Sequence, residues 1–180
     1  MKLEKLFIKP VYKILCLFFT NPTKEFYEKE VSDIIKISVG AVNKYMKILT
    51  KIELLQQEKH GRMHFYTLNR ENLLVKYLKV VFTLSTPLIQ EIKDIKNGSI
   101  RIFLYGSYAR GEDTEESDID MLLISKKEDR NKVIGATSNL GRKYGKEIKI
   151  SACSQEEWLA MREDDPAFYE RVEKDKIELI

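Results

Sequence analysis

Residues 104–125 constrain the fold of this chain more than any other segment, because two apolar runs there enclose a glycine turn and a pair of acids. The first run is followed by Gly106-Ser107 and a polar loop, and the second run contains Asp118 and Asp120. Short apolar runs bounded by turn residues are typical of buried strands. Side chains two positions apart on a strand share a face, with Cα atoms roughly 7 Å apart. The pattern therefore predicts two core strands with two carboxylates on one face.

Such a pair of acids points to metal and phosphate chemistry. Neighbouring carboxylates repel each other when both are ionised, unless a cation lies between them. Mg²⁺ prefers hard oxygen ligands and typically binds one or two carboxylates together with substrate phosphates. The Gly106-Ser107 turn can offer backbone N–H groups to a phosphate. Together the two features indicate phosphoryl-type chemistry on a nucleotide.

The same residues resemble a known family. Gly106-Ser107, the continuation through residues 108–111, and Asp118-x-Asp120 at this spacing are similar to the polymerase-β-like nucleotidyltransferases, especially the minimal ones, over about residues 99–151. The resemblance implies a mixed sheet flanked by helices, Mg²⁺ or Mn²⁺ held by the two aspartates, and nucleotide phosphates held by Gly106 and Ser107. It also implies transfer of a nucleoside monophosphate, with AMP from ATP favoured, to a hydroxyl acceptor.

Two further residues are candidates for this site. The resemblance implies a third carboxylate that ligates metal and activates the acceptor, and Glu147 is the candidate. Glu147 follows Lys146, whereas the family usually places this acid between two apolar residues, so the alternative is an exposed strand-end glutamate paired with a lysine. Arg110 has two interpretations, contact with a nucleotide phosphate or an ion pair with Glu112 or Asp118 that fixes the loop.

The first 70 residues predict a separate domain. Apolar periodicity indicates helices over 8–20 and 28–37, a third helix from an N-cap at Ser38 to about residue 52, and a hairpin over 54–69. Three helices followed by a hairpin resemble the winged helix-turn-helix domains of small prokaryotic regulators. That resemblance implies a third helix in the DNA major groove with the hairpin near the backbone. The candidate DNA-contacting residues are Ser38, Asn43, Lys44, Lys47, Lys51, Lys59 and Arg62.

Charge supports a division of the chain but leaves the role of this domain open. Residues 1–70 hold 13 Lys and Arg against 7 Asp and Glu, whereas the other 110 residues hold 18 against 21. A basic module favours a polyanion and an acidic one suits a cation site. The alternative is that the winged helix binds protein or positions its neighbour, with its lysines only solvating a helix face.

The predicted organisation is α+β/α/β: a winged helix-turn-helix domain over 1–70, a connecting helix over 71–97 and a nucleotidyltransferase domain over 98–180. The connecting helix is expected to break near Ser85-Thr86-Pro87 and to end at Asn97-Gly98. The remaining predicted elements are strands at 100–105, 118–125, 146–153 and 177–180, and helices at 126–144, at 155–161 after Ser154, and from Asp165-Pro166.

Composition excludes some classes of protein. Hydrophobic residues make up 43% and charged residues 33%, which is typical of a soluble globular protein. No apolar run reaches the length of a membrane span, and the N-terminus lacks the pattern of a secretory signal. Cys16 and Cys153 are expected to be buried thiols in a reducing cytoplasm. The apolar face of the connecting helix is expected to be core or a domain interface, and the alternative is a homodimer seam.

Three functions remain in competition at this point. The first is an enzyme that transfers a nucleotidyl group to protein, RNA or a small molecule. The second is a DNA-binding transcriptional regulator whose nucleotidyltransferase-like domain senses nucleotide or is degenerate. The third is an antitoxin-like protein that acts on a toxin partner, as minimal nucleotidyltransferases of toxin pairs do.

Overall fold

The computed structural model describes residues 3–5, 7–95 and 100–180, which divide into two compact units. The first unit runs to Phe82 and also includes Asp113–Glu116. The second comprises Thr83–Glu112 and Ser117–Ile180. The division therefore falls inside the segment predicted as a connecting helix, and a short piece of the loop before Asp118 belongs to the first unit.

In the first unit three helices precede an antiparallel hairpin, and a fourth helix follows it. After a 3₁₀ turn at Leu3–Lys5, the elements are α1 (Lys9–Thr20), β1 (Phe26–Tyr27), α2 (Glu28–Ile35), α3 (Val39–Lys51), β2 (Leu55–His60), β3 (Met63–Leu68) and α4 (Leu73–Leu84). The predicted helices and hairpin are confirmed, while the strand β1 lies between the first two of these helices, where no element was predicted.

The junction between α2 and α3 differs from the prediction in one detail. The second helix ends at Ile35 because Lys36 adopts a left-handed conformation, with φ 55°. Ser38 does stand at the N-cap of α3, but its side chain makes no capping hydrogen bond. The predicted N-cap position of Ser38 is therefore confirmed without a side-chain hydrogen bond, and the turn is set by the backbone of Lys36.

The sheet of the first unit has the strand order β1-β3-β2. His60 pairs with Met63, so Gly61-Arg62 forms a two-residue turn, with Gly61 at φ 64°. Positive φ at this position suits a glycine. The core beneath the sheet is apolar and includes the fully buried residues Ile14, Phe18, Val31, Val42, Met46 and Tyr66.

The second unit alternates strands and helices. Its elements are α5 (Pro87–Lys93), β4 (Arg101–Tyr105), α6 (Ser107–Arg110), β5 (Ile119–Ile124), α7 (Lys127–Tyr144), β6 (Ile148–Cys153), α8 (Gln155–Asp164), α9 (Pro166–Asp175) and β7 (Ile177–Glu178). The predicted strands and helices are confirmed, and the break before Pro87 is present. The short helix α6 lies where a loop was expected. The predicted helix end at Asn97-Gly98 lies outside the described residues.

These strands form a mixed sheet in the order β6-β5-β4-β7, with β5 and β6 parallel and the other pairs antiparallel. The alternation of side chains gives each face its own core. Ile102, Leu104 and Met121 pack in one apolar cluster with residues of α5 and α7, whereas Phe103 and Leu122 pack in another with residues of α8 and α9. Helices therefore cover both faces, as predicted for this half of the chain.

Within the described ranges, no single helix is long and apolar enough to cross a membrane. The pair α4 and α5, bent by 57°, passes the same test by combined length and composition.

Candidate functional site

Gly106 and Asp120 lie close together in the candidate site. Gly106 follows β4 with φ 75° and ψ −151°, a conformation that other residues rarely adopt. A Cβ atom built on Gly106 would lie 2.6 Å from Oδ2 of Asp120. The position therefore requires glycine twice, once for its backbone conformation and once for the close approach of the carboxylate.

The two aspartates lie at the start of the central strand β5. Asp120 is within the strand, paired with Tyr105 of β4 and with Lys149 of β6, while Asp118 precedes the strand by one residue. Both side chains are half-buried. The pairing of β4 with β5 thus brings the Gly-Ser turn and the two acids together at the same end of the sheet.

The electrostatics of Asp120 favour a cation. Burial raises the pKa of Asp120, and the charge of Asp118 raises it further, while Lys149, Arg171 and Arg110 oppose the shift. Nearby cations therefore only partly offset the penalty of ionising Asp120. Two neighbouring, half-buried carboxylates are hard oxygen donors. They suit a divalent ion whose remaining coordination positions are filled by phosphate oxygens. The residues present fit such an ion.

Lys149 contacts the other aspartate. Its Nζ lies 2.6 Å from Oδ2 of Asp118, with 58% of the lysine side chain and 29% of the aspartate side chain exposed. The hydrogen bond and charge of Asp118 raise the pKa of Lys149. The sequence gave no sign of this ion pair.

Glu147 lies beside the site through its backbone. Its carbonyl oxygen accepts a 2.9 Å hydrogen bond from the N–H of Ile119, and its side chain is exposed. Over the described part of the chain, no three His, Cys, Asp or Glu side chains gather in an arrangement that could hold a metal. The structure therefore does not bring Glu147 into a cluster with both aspartates, and its role as third ligand and base stays a prediction.

Arg110 has two acidic partners. Its Nε donates to Oε2 of Glu112 at 2.8 Å, and its Nη1 pairs with Asp175 of α9. Both carboxylates raise the pKa of Arg110. Of the two interpretations from the sequence, the loop-fixing pair with Glu112 is present, and the phosphate contact stays a prediction.

Sequence reasoning missed the contribution of α9. Arg171 lies over the ring of Phe168 at 5.3 Å and is close enough to Asp120 to oppose the rise in its pKa. Asp175 holds Arg110 from the same helix. No local signal identifies these residues, because they lie about 50 residues beyond the aspartates.

The candidate DNA-contacting residues of the first unit are mostly exposed. Ser38 and the side chains of Lys44, Lys47, Lys51, Lys59 and Arg62 face solvent. Asn43 is the exception, since it is half-buried and donates a 3.4 Å hydrogen bond to Oε1 of Glu28. Asn43 is therefore less accessible than the lysines of α3, and its contact with DNA stays a prediction. Apolar Val39, Ile48 and Ile52 are also exposed along α3.

The two cysteines agree with their prediction as thiols. Cys153 is buried, Cys16 is half-buried, and neither forms a disulfide. Burial raises the pKa of both thiols.

Comparison with known proteins places this geometry in context. The profile of the family described as nucleotidyltransferase domain matches residues 87–179, just over half of the chain. Two proteins of Methanocaldococcus jannaschii are similar in sequence. The one named "Putative protein adenylyltransferase MJ0604" is 38% identical over 85 residues, 47% of this chain and 82% of that protein. The one named "Putative protein adenylyltransferase MJ0141" is 39% identical over 54 residues, 28% of this chain and 54% of that protein.

A solved structure also aligns with the chain. The alignment with the crystal structure of Pseudomonas aeruginosa HmgR covers 64% of this chain and 45% of the HmgR chain, at 13% identity and a TM-score of 0.30. A similarity this low supports no conclusion about fold or function.

Proposed function

Because the chain belongs to the nucleotidyltransferase domain family and is a nucleotidyltransferase, we propose that it transfers AMP from ATP to a hydroxyl group of a protein. The observation that carries the proposal is the contact of Gly106 with Asp120, which packs the Gly-Ser turn against the second of two neighbouring aspartates. The two Methanocaldococcus relatives, both named as protein adenylyltransferases, support AMP as the group and protein as the acceptor.

In this proposal the acids hold the metal and the turn holds the phosphates. Asp118 and Asp120 would hold Mg²⁺ or Mn²⁺, and the ion would supply positive charge to neutralise the triphosphate. Gly106 leaves room for the carboxylate of Asp120, and the turn through Ser107 places backbone N–H groups beside the phosphates. Positioning and charge neutralisation then supply most of the catalysis.

The reaction is a single displacement at phosphorus. The acceptor oxygen forms a bond to the α-phosphorus while the bond from that phosphorus to the bridging oxygen breaks, and pyrophosphate leaves with the electron pair. Glu147 receives the proton of the acceptor hydroxyl as general base. Its exposure and its position beside Ile119 allow its side chain to serve an acceptor arriving from solvent.

The test uses ATP labelled at different phosphates. With Mg²⁺ or Mn²⁺ and a cell extract as acceptor, we expect label from the α-phosphate to become covalently attached to protein, and label from the γ-phosphate to remain in solution. The variant D118A/D120A is expected to lose transfer by at least about 100-fold. E163A/D164A, which removes two exposed acids at the end of α8, is the matched control and should transfer normally. Transfer of γ-label, or undiminished transfer by D118A/D120A, would contradict the proposal.

The basic surface of the first unit supports a second function, DNA binding by a winged helix-turn-helix domain. Lys44, Lys47 and Lys51 follow one another at helical spacing on α3, and all three are exposed. Arg62 lies in the two-residue turn of the hairpin, and Lys59 lies near that turn in β2. These are residue types that contact phosphates, and the order of helices and hairpin fits a helix that enters the major groove. A transcriptional regulator or an antitoxin-like protein that acts on a toxin would use both units.

Salt dependence tests this second function. If the domain contacts DNA phosphates, its affinity for duplex DNA should fall steeply as the salt concentration rises. In K44A/K47A/K51A the slope of log affinity against log salt should be shallower by the equivalent of about three phosphate contacts. K126A/K127A/K132A removes three exposed lysines at and near the start of α7 and serves as the charge-matched control. Equal loss of affinity in both triple variants would show that only net charge matters, which would contradict a specific DNA-binding face.

A further inference from the structure

We propose that Lys149 is a nucleotide-binding residue, whose ammonium holds Asp118 while the site lacks metal and pairs with the triphosphate once a divalent ion takes that carboxylate. The inference rests on the proposed function and adds a residue to it. Its basis is the 2.6 Å contact between Nζ of Lys149 and Oδ2 of Asp118.

The parallel pairing of β5 and β6 places Lys149 directly at the site. Asp120 and Lys149 are partners in register, so the two side chains leave adjacent strands at the same level. Glu147 lies two residues earlier, directly before β6. A lysine therefore stands beside Asp120, at a level of the sheet where it can contact both aspartates and whatever they bind.

The ammonium and a divalent ion would compete for the same oxygen. Both need the lone pairs of Asp118, and two cations on one carboxylate oxygen repel each other. A divalent ion carries twice the charge of the ammonium and gains from both aspartates, so it displaces the lysine rather than joining it. The exposure of the Lys149 side chain, 58%, means that no packed core holds the ammonium in place.

Once displaced, the ammonium of Lys149 has lost its contact with Asp118 and needs another anion as a partner. Its partner in register, Asp120, keeps the ammonium at the level of the site after the contact with Asp118 is lost. The strongest anion that enters the site with the metal is the triphosphate, and lysine is a common phosphate ligand. The ammonium that pairs with Asp118 in the metal-free site thus becomes available to the triphosphate when metal and nucleotide bind.

The proposal predicts opposite effects on two affinities. The variant K149M keeps the aliphatic stem and removes the charge, so it should bind Mn²⁺ without nucleotide about 3- to 10-fold more tightly than the wild type. At saturating Mn²⁺ it should bind a non-hydrolysable ATP analogue about 10-fold or more weakly, because a charge-assisted contact is lost. K149R should stay near the wild type in both. K132M, at an exposed lysine of α7, is the matched control.

Metal binding is measured by the paramagnetic resonance of free Mn²⁺, and nucleotide binding by calorimetry, so neither measurement depends on turnover. If K149M weakens both affinities together, Lys149 only supports the structure and the inference is overturned. If the wild type binds both ligands and K149M binds them equally well, the inference fails while the proposed function stands. If the wild type binds neither Mn²⁺ nor the ATP analogue, both fail. K149Q repeats the measurement should K149M fold poorly.

Discussion

The ammonium of Lys79 is buried against Asp113, 34 residues away in the sequence. Its Nζ donates to the backbone oxygen of Asp113 at 2.6 Å and lies 3.1 Å from Oδ1 of the same residue, and both side chains are less than a tenth exposed. Burial lowers the pKa of Lys79, and the carboxylate of Asp113 opposes that shift. The pair ties Asp113–Glu116 to the first unit, within the loop that connects Gly106 to Asp118.

We expect D113N to destabilise the first unit by about 3 kcal/mol, because it leaves a buried ammonium without its counter-charge. The double variant K79M/D113N should recover much of the loss, since it removes both charges together. Urea unfolding followed by circular dichroism measures the change. The matched control is D33N, which breaks the exposed pair between Lys29 and Asp33 and should change the free energy of unfolding by less than about 0.5 kcal/mol. Equal effects of D113N and D33N would show that the buried pair contributes no more to the free energy of unfolding than the exposed pair.

The contact between Gly106 and Asp120 gives a second prediction. G106A should abolish nucleotidyl transfer, by at least about 100-fold, because its Cβ would collide with Oδ2 of Asp120 and its φ would be strained. G135A is the control, since nothing lies within 4 Å of a Cβ at that helical position. It should stabilise the protein by about 0.5–1 kcal/mol and leave transfer unchanged. An active G106A enzyme would show that the carboxylate moves aside without consequence for catalysis.

The sequence was sufficient to predict the elements whose signals are local. The apolar runs of β4 and β5, the break at Pro87 and the glycine that ends α7 each follow from a few adjacent residues. The cap at Ser154 is of the same kind, and the structure adds the reciprocal hydrogen bond to Glu157. The spacing of Gly106 and the two aspartates then predicted that these residues lie close together, because the strands on either side were predictable.

The contacts that the sequence did not reveal all depend on long-range pairing. Lys149 reaches Asp118 only because β6 is parallel to β5 in one register, fixed after an 18-residue helix. Arg110 meets Asp175 across 65 residues. A buried lysine such as Lys79 is against the binary pattern of α4, so periodicity alone would have placed it on the surface. Tertiary packing decides such cases.

The two partners of Arg110 allow its competing roles to be separated. If the guanidinium fixes the loop, R110Q and D175N should destabilise the second unit by similar amounts, about 1–2 kcal/mol, since Asp175 is only 8% exposed. We expect this result, with the affinity for ATP analogues changed by less than about threefold in either variant. Thermal unfolding and calorimetry measure the two quantities. A large loss of nucleotide affinity in R110Q alone would instead establish a phosphate contact.

The pH dependence of stability provides a last prediction, at Glu91. Its carboxylate accepts hydrogen bonds from Nζ of Lys143 at 2.7 and 2.8 Å and from the hydroxyl of Tyr144, and these contacts lower its pKa. A carboxyl whose pKa is lower in the folded state stabilises the protein above its unfolded pKa, and this contribution is lost as the pH falls through the folded value. The wild type should therefore lose stability on acidification below the ordinary range of glutamate, and E91Q should lose less over the same interval. Thermal unfolding at a series of pH values tests this, with E163Q as an exposed control; parallel curves for E91Q and the wild type would show that the link between α5 and α7 carries no pH-dependent stability.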